Sequence, residues 1–120
     1  MKILIAGGGT AGHINPAIAV AKYIRTRRPD ADILFVGATG GMEEKLVTEA
    51  GFPLKTFAMR GFLHKVTPKA VWFNLGTLRR LLASFREADK ILDEFQPDLV
   101  FGTGGFACFP PLYRAAKRGI

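Results

Sequence analysis

Residues Lys2 to Ala6, KILIA, form a short apolar run that stops abruptly at Gly7-Gly8-Gly9-Thr10-Ala11-Gly12-His13. Beyond that loop, Ala17, Val20, Ala21 and Ile24 recur at helical spacing. A strand of four or five branched apolar residues, a glycine loop and then a helix is the opening of a parallel α/β unit, because only a strand buried on both faces reads as a continuous apolar run. The same context directs backbone N–H groups and a helix N-terminus at one point, which suits an anion such as phosphate. Asn15 is placed as the cap and Pro16 in the first turn of that helix, which should stop near Arg28, before Pro29.

The rest of the chain repeats the alternation. Asp32 to Val36 is a second strand, Met42 to Ala50 a short helix with Glu43 and Glu44 in its first turn, and Leu54 to Ala58 a third strand. Thr67 to Phe95 is mostly helical with an interruption expected at Gly76. Its second part carries Leu78, Leu81, Phe85, Ala88, Leu92 and Phe95 in a stripe that should face a sheet. Pro97 ends it, Asp98 to Phe101 is a fourth strand, and a second glycine loop, Gly102-Thr103-Gly104-Gly105-Phe106, leads to a helix starting near Pro110 or Pro111. With 120 residues and 48% hydrophobic content, one domain spanning 1–120 is the ceiling. The expected fold is a Rossmann-like, doubly wound parallel sheet. If strand four lies beside strand one, the two glycine loops face each other across the crevice where such sheets bind ligands.

Several chemistries are disfavoured. Gly7, Gly9 and Gly12 satisfy G-x-G-x-x-G, but strand two ends Phe35-Val36-Gly37-Ala38 without the acid that a dinucleotide's ribose requires. No lysine follows the first loop as in a P-loop, and no metal-spaced Cys and His cluster, nucleophile elbow or carboxylate pair accompanies either loop. Neither a metal nor a cofactor is expected. His13, at the start of the first helix, can point into the crevice and take a proton from an attacking hydroxyl. It can equally serve only to hydrogen-bond the loop or cap the helix.

Seventeen Lys and Arg against ten Asp and Glu give a net charge of +7, which favours an anionic partner. No nucleic-acid-binding motif accompanies that charge, so nucleic acid is not the expected partner. Between Phe62 and Arg86, Lys65, Lys69, Arg79, Arg80 and Arg86 are mixed with Trp72, Phe73, Leu75, Leu78 and Leu82. Large apolar side chains beside cations suit shallow insertion into an anionic leaflet, and Lys69, Trp72, Phe73, Leu75, Arg79 and Arg80 are the candidates. The other reading of the same residues is an apolar core with a solvated cationic face. No stretch reaches the roughly 20 apolar residues of a membrane span, so membrane contact would be peripheral. Cys108 is the lone cysteine and cannot form an internal disulfide, which with the absence of a signal-like segment points to the cytosol.

The string GGGTAGHINPAIAVA resembles the first glycine loop of the MurG-type glycosyltransferases, G-G-T-x-G-H followed by a short apolar and proline segment. FVGATGGMEEKLV and PDLVFGTGGFACFPP resemble the second-strand and second-loop segments of the same family. The resemblance runs through the whole chain and implies the N-terminal, acceptor-side half of a two-domain enzyme of GT-B architecture. It also implies an inverting, metal-independent transfer of N-acetylglucosamine from UDP-N-acetylglucosamine to undecaprenyl-diphospho-muramoylpentapeptide, at the cytoplasmic face of the membrane. Carried over by position, Thr10, Ala11 and Gly12 match the donor-contacting stretch and His13 the active-site histidine. Gly102, Thr103, Gly104, Gly105 and Phe106 match the loop expected to cradle the acceptor diphosphate. Ala11 stands where the family more often has glycine, and Phe106 where it often has tyrosine. The donor domain is expected to lie outside these residues. Two other functions compete: a non-catalytic, membrane-docking acceptor subunit of a two-chain N-acetylglucosaminyltransferase, and a nicotinamide-dependent oxidoreductase, against which the missing acid counts.

Overall fold

The structure, a computed structural model, describes residues 1–57 and 68–120. Ala58, Phe62, Lys65 and Thr67, each part of an expectation above, lie outside the described residues. Four parallel strands, β1 (Lys2–Ala6), β2 (Asp32–Ala38), β3 (Leu54–Phe57) and β4 (Leu99–Gly102), form one sheet in the order β3-β2-β1-β4. The helices between and after them are α1 (Ala11–Arg27), α2 (Glu43–Glu49), α3 (Pro68–Phe95) and α4 (Phe109–Lys117), the last preceded by a 3-10 turn at Phe106–Cys108. The Rossmann-like α/β expectation therefore holds, and strand four lies beside strand one, the condition under which the two glycine loops face each other.

Period-two alternation in the central strands divides the core. Ile3, Ile5, Ile33 and Phe35 point to one face, where Ile14, Ala17, Ile18 and Ala21 of α1 and Val47 of α2 cover them. Leu4, Leu34 and Val36 point to the other, under Ile91 and Leu92 of α3 and Ala115 of α4. The register sets Leu4 opposite Leu34 on one side and Val100 on the other, so β1 is buried from both faces and both edges.

Two local expectations need correction. The first helix does not open at Asn15 and Pro16. It opens at Ala11, because the Thr10 carbonyl already accepts the amides of His13 and Ile14, both at 3.1 Å. Pro16 then sits in the second turn, where its missing N–H removes only the bond to the Gly12 carbonyl, and burial of Ile14, Ala17, Ile18 and Ala21 holds the helix together around it. Nor is α3 interrupted at Gly76. A mid-helix glycine costs about 1 kcal/mol, less than burying a few apolar side chains recovers.

The buried line along α3 also differs from the expected stripe. It runs through Ala70, Thr77, Ser84 and Ile91, with Ala88 and Leu92 beside it, while Leu78 is 45% exposed and Leu81 and Phe85 are half-buried. The hydroxyls of Thr77 and Ser84 donate to the carbonyls of Phe73 and Leu81, which makes their burial tolerable. Phe85 packs against α4, with its ring 5.9 Å from Phe109 and 5.5 Å from Tyr113.

An ionic clamp joins α3 to α4. Arg114 grips the Asp89 carboxylate side-on, Nε to Oδ1 at 3.0 Å and a terminal nitrogen to Oδ2 at 2.8 Å, and Arg118 bridges Asp89 and Asp93. The Arg114 hydrogen bonds, with help from Arg118, hold the Asp89 carboxyl below its ordinary value of 3.8. A carboxyl lowered in the folded state contributes stability that is present above its unfolded value and lost as the pH falls through the folded one. Asp89→Asn should therefore lower the thermal midpoint at neutral pH by a few degrees at most, since the pairs are partly solvated. The wild-type and variant midpoints should converge in acid, below the ordinary carboxylate range. Melting curves across pH check this, and a difference that persists undiminished in acid would contradict it.

Candidate functional site

Because β1 and β4 are neighbours, the loop after each opens at the same end of the sheet. The two are tied together. The Thr103 hydroxyl donates to the His13 carbonyl at 2.6 Å, and the Thr103 amide donates to the Ala6 carbonyl at 3.0 Å. Cys108, 4% exposed, places its sulfur 2.9 Å from the carbonyls of both Ala6 and Gly104 and accepts the Gly104 amide at 3.2 Å. Burial pushes this thiol up from its ordinary value, so it stays protonated and donates its one hydrogen to either carbonyl. Cys108 was not legible as part of the site, since a lone small buried residue carries no spacing signal.

His13 lies in the first turn of α1, half-buried, with Nδ1 3.2 Å from the Thr10 hydroxyl and 3.3 Å from the Gly8 carbonyl. With the hydrogen on Nδ1 the ring donates to the Gly8 carbonyl and Nε2 keeps a lone pair, whereas in the other tautomer the Thr10 hydroxyl donates to Nδ1 and the Gly8 contact is not a hydrogen bond. The ring rests on the second loop: a Cβ on Gly104 would come within 2.8 Å of Cδ2 and 3.0 Å of Nε2. Gly104 and Gly105 have φ of +125° and +90°, and a Cβ on Gly105 would overlap the Gly8 carbonyl. Only glycine meets both demands, close approach and left-handed backbone.

Thr10 caps α1 through its carbonyl, and the amides of Ala11 and Gly12 open the helix, where N–H groups have no acceptor within the helix. No acid occupies the first turn, so its positive end is unscreened by the chain itself. The second loop offers fewer donors than its glycines suggest. The amides of Thr103 and Gly104 are bonded internally, and Gly105 is the loop glycine whose amide has no partner among the described residues. Phe106 opens the 3-10 turn that follows. Among the described residues no three His, Cys, Asp or Glu side chains gather as a metal site requires.

One acid does approach the first loop, from an unexpected direction. Glu43, the first residue of α2, is fully buried, and its Oε2 accepts the Ala38 amide at 3.0 Å at the tip of β2. Sequence reading placed it only in a helix first turn. The glycines at 37, 40 and 41, bracketing the end of a strand just before an acid, were the available signal.

The candidate residues of α3 divide between two faces, with Arg79 on the apolar one. Trp72, 76% exposed, lines a shallow cavity of about 230 Å³ with Leu75, Leu78, Arg79 and Leu82. Lys69 is exposed and Phe73 half-buried, and neither lines that cavity. Arg80 instead lines a cavity of about 320 Å³ of mixed character with Thr39, Thr56, Phe57, Ser84 and Glu87, over the carboxyl ends of β2 and β3. No helix among the described residues is long and apolar enough to cross a membrane.

Comparison with known proteins agrees with this geometry. The protein of Ruminiclostridium cellulolyticum named UDP-N-acetylglucosamine--N-acetylmuramyl-(pentapeptide) pyrophosphoryl-undecaprenol N-acetylglucosamine transferase is 50% identical over 120 residues, all of this chain and 32% of that protein. Its namesake in Acetivibrio thermocellus is 45% identical, again over the whole chain and 31% of the relative. The chain thus spans about a third of the length of these relatives. The crystal structure of Acinetobacter baumannii MurG superposes with a TM-score of 0.79 at 22% identity, covering 99% of this chain and 33% of that one, a likeness of fold. The sequence model of the glycosyltransferase family 28 N-terminal domain matches residues 3–120, and the chain belongs to that family.

Proposed function

We propose that this chain is the acceptor-side domain of an inverting N-acetylglucosaminyltransferase that converts undecaprenyl-diphospho-muramoylpentapeptide to its N-acetylglucosaminyl product in peptidoglycan synthesis, with UDP-N-acetylglucosamine as donor. The observation that carries the reading is identity of 45–50% over the whole chain to transferases named for that reaction. The site is chemically suited to it. The acceptor's hydroxyl oxygen forms a bond to the anomeric carbon from the face opposite the leaving group. The bond from that carbon to the UDP oxygen breaks with its electron pair, and the hydroxyl proton passes to Nε2 of His13. Negative charge growing on the diphosphate is met by the amides of Ala11 and Gly12 and by the positive end of α1, which removes the need for a metal. Thr10, Ala11 and Gly12 are assigned to the donor side of the crevice. Gly102, Thr103, Gly104, Gly105 and Phe106 are assigned to the acceptor diphosphate, and the Gly105 amide is the donor that supports this assignment best. The donor's nucleotide pocket belongs to a further domain outside these 120 residues.

The exposed apolar face of α3 supports a peripheral seat on the anionic inner leaflet, with Trp72 and Leu75 inserting and Arg79 beside them. Lys69 and Arg80 add longer-range attraction and Phe73 an apolar flank. This face is also what the competing reading, a membrane-docking subunit without catalytic residues, would use, and the activity of His13 variants separates the two.

Three outcomes test the proposal. The purified 120-residue chain should transfer no sugar, because both substrates must be held in one cleft. Turnover by the chain alone refutes this. The chain should bind anionic vesicles more tightly than neutral ones, each engaged cation contributing about 1 kcal/mol, with binding weakened by salt and by Trp72→Ser. Equal co-sedimentation with both vesicle types at low salt counts against the membrane seat. In the full-length transferase, His13→Ala should lower kcat by about a hundredfold or more while the thermal midpoint stays nearly unchanged. Near-normal turnover would make His13 a structural residue.

A further inference from the structure

Glu43 is the one fully exposure-free acidic side chain among the described residues, and its surroundings are unusual for an acid. Its carboxylate fills a pocket floored by three glycines: a Cβ on Gly8, Gly37 or Gly41 would overlap it. Oε2 accepts the Ala38 amide at 3.0 Å, while Oε1 has no hydrogen-bond partner among the described residues. Burying a carboxyl group with one oxygen unpartnered is unfavourable, and an apolar residue of similar size would fill the space without that penalty. Stability is therefore a poor account of why an acid occupies this position.

What the carboxylate touches suggests a better one. Gly8 is held from two directions. Its carbonyl faces His13 Nδ1 at 3.3 Å and is crowded by Gly105, while its α-carbon rests on Glu43 Oε2. A Gly8 carbonyl held at this point favours the Nδ1–H form of His13 over the form that accepts from the Thr10 hydroxyl, and Glu43 is the wall against which the Gly8 peptide is set. We propose that Glu43 is a positioning residue: anchored to β2 through the Ala38 amide, its carboxylate fixes the Gly8 carbonyl and through it the tautomer and aim of the His13 ring. The role is one of shape and hydrogen-bond acceptance, not of charge.

The consequence for catalysis rests on the reading of His13 as the base, whereas the tautomer coupling does not, and two measurements keep them apart. The first is the nitrogen-15 spectrum of histidine-labelled protein, with the His13 signals assigned by their loss in His13→Asn. The wild type should show protonated Nδ1 and bare Nε2. Glu43→Gln, which keeps the volume and can still accept from Ala38, should retain that pattern. Glu43→Asp, whose shorter side chain cannot reach both Ala38 and Gly8, should give averaged or reversed nitrogen shifts while melting cooperatively. The second is kinetics of the full-length transferase. Glu43→Asp should lower kcat by about ten- to a hundredfold, the scale of a displacement of one ångström, with KM for the donor changed less than about twofold. Glu43→Gln should stay near wild type. An unchanged His13 spectrum in folded Glu43→Asp overturns the proposal, as does a Glu43→Gln variant that loses the pattern, since charge would then be the operative property. A shifted spectrum with undiminished turnover leaves the coupling standing and removes His13 as the base.

Discussion

The pairing of β1 with β4 is the contact on which the site depends. Ala6, the last residue of β1, has its carbonyl engaged by the Thr103 amide and approached by the Cys108 thiol, so the end of one strand is bonded to both ends of the loop that follows the other. Thr103 then reaches across to the His13 carbonyl, which couples the second loop to the first turn of α1. Were β4 at the far edge of the sheet, beside β3, every residue of both loops would keep its local conformation and there would be no crevice. Strand order, a property of the whole chain, is thus what turns two ordinary strand-to-helix turns into a site.

Within the crevice, space is created by leaving side chains out. Thr103 reaches its acceptor over Gly7, the His13 ring lies on Gly104, the Gly8 carbonyl nests against Gly105, and Glu43 fills the room that Gly8, Gly37 and Gly41 vacate. Each glycine is matched to a particular intruding group, so the two loops and α2 interlock through polar atoms at distances no side-chained residue would allow. Interiors packed to this density have few alternative arrangements. Such packing suits a site that has to hold hydrogen-bond donors and a proton acceptor at fixed points before charge develops.

The strands and the strand-loop-helix repeat were legible in the sequence because each rests on a strong local signal, apolar runs bounded by glycine, whereas the facing of the two loops hung on strand four lying beside strand one, which local signals do not fix. The position of His13 at the crevice was legible from its place directly after a glycine loop. What escaped detection depends on partners distant in sequence. Cys108 acts on Ala6, 102 residues earlier, and Glu43 acts on Gly8 from a different helix. The helix start at Ala11 was hidden by Pro16, whose preference for a first turn is real but was outweighed by the apolar residues packed after it. The buried line of α3 was misread because Thr77 and Ser84, polar by type, are buried by being small and self-satisfied, whereas Leu78, apolar by type, is left outside.

That misreading bears on how α3 divides its work. Its C-terminal half is fixed: Ala88, Ile91 and Leu92 meet the sheet, Phe85 meets α4, and Asp89 is held by two arginines. Its N-terminal half carries Val71, Trp72, Leu75, Leu78 and Leu82, each at least 45% exposed, on the side away from its buried line. Apolar surface of that size on a helix rigidly docked elsewhere is not a folding compromise, since Leu78 and Leu82 could be polar without loss to the core. The helix is better understood as a strut, with one half built into the domain by packing and ion pairs so that the other can present an apolar ridge, flanked by Arg79, at a fixed attitude to the crevice. Under the function proposed above, a ridge held at one attitude would bring a lipid-linked acceptor to the same loop at each encounter, which a ridge free to swivel would not.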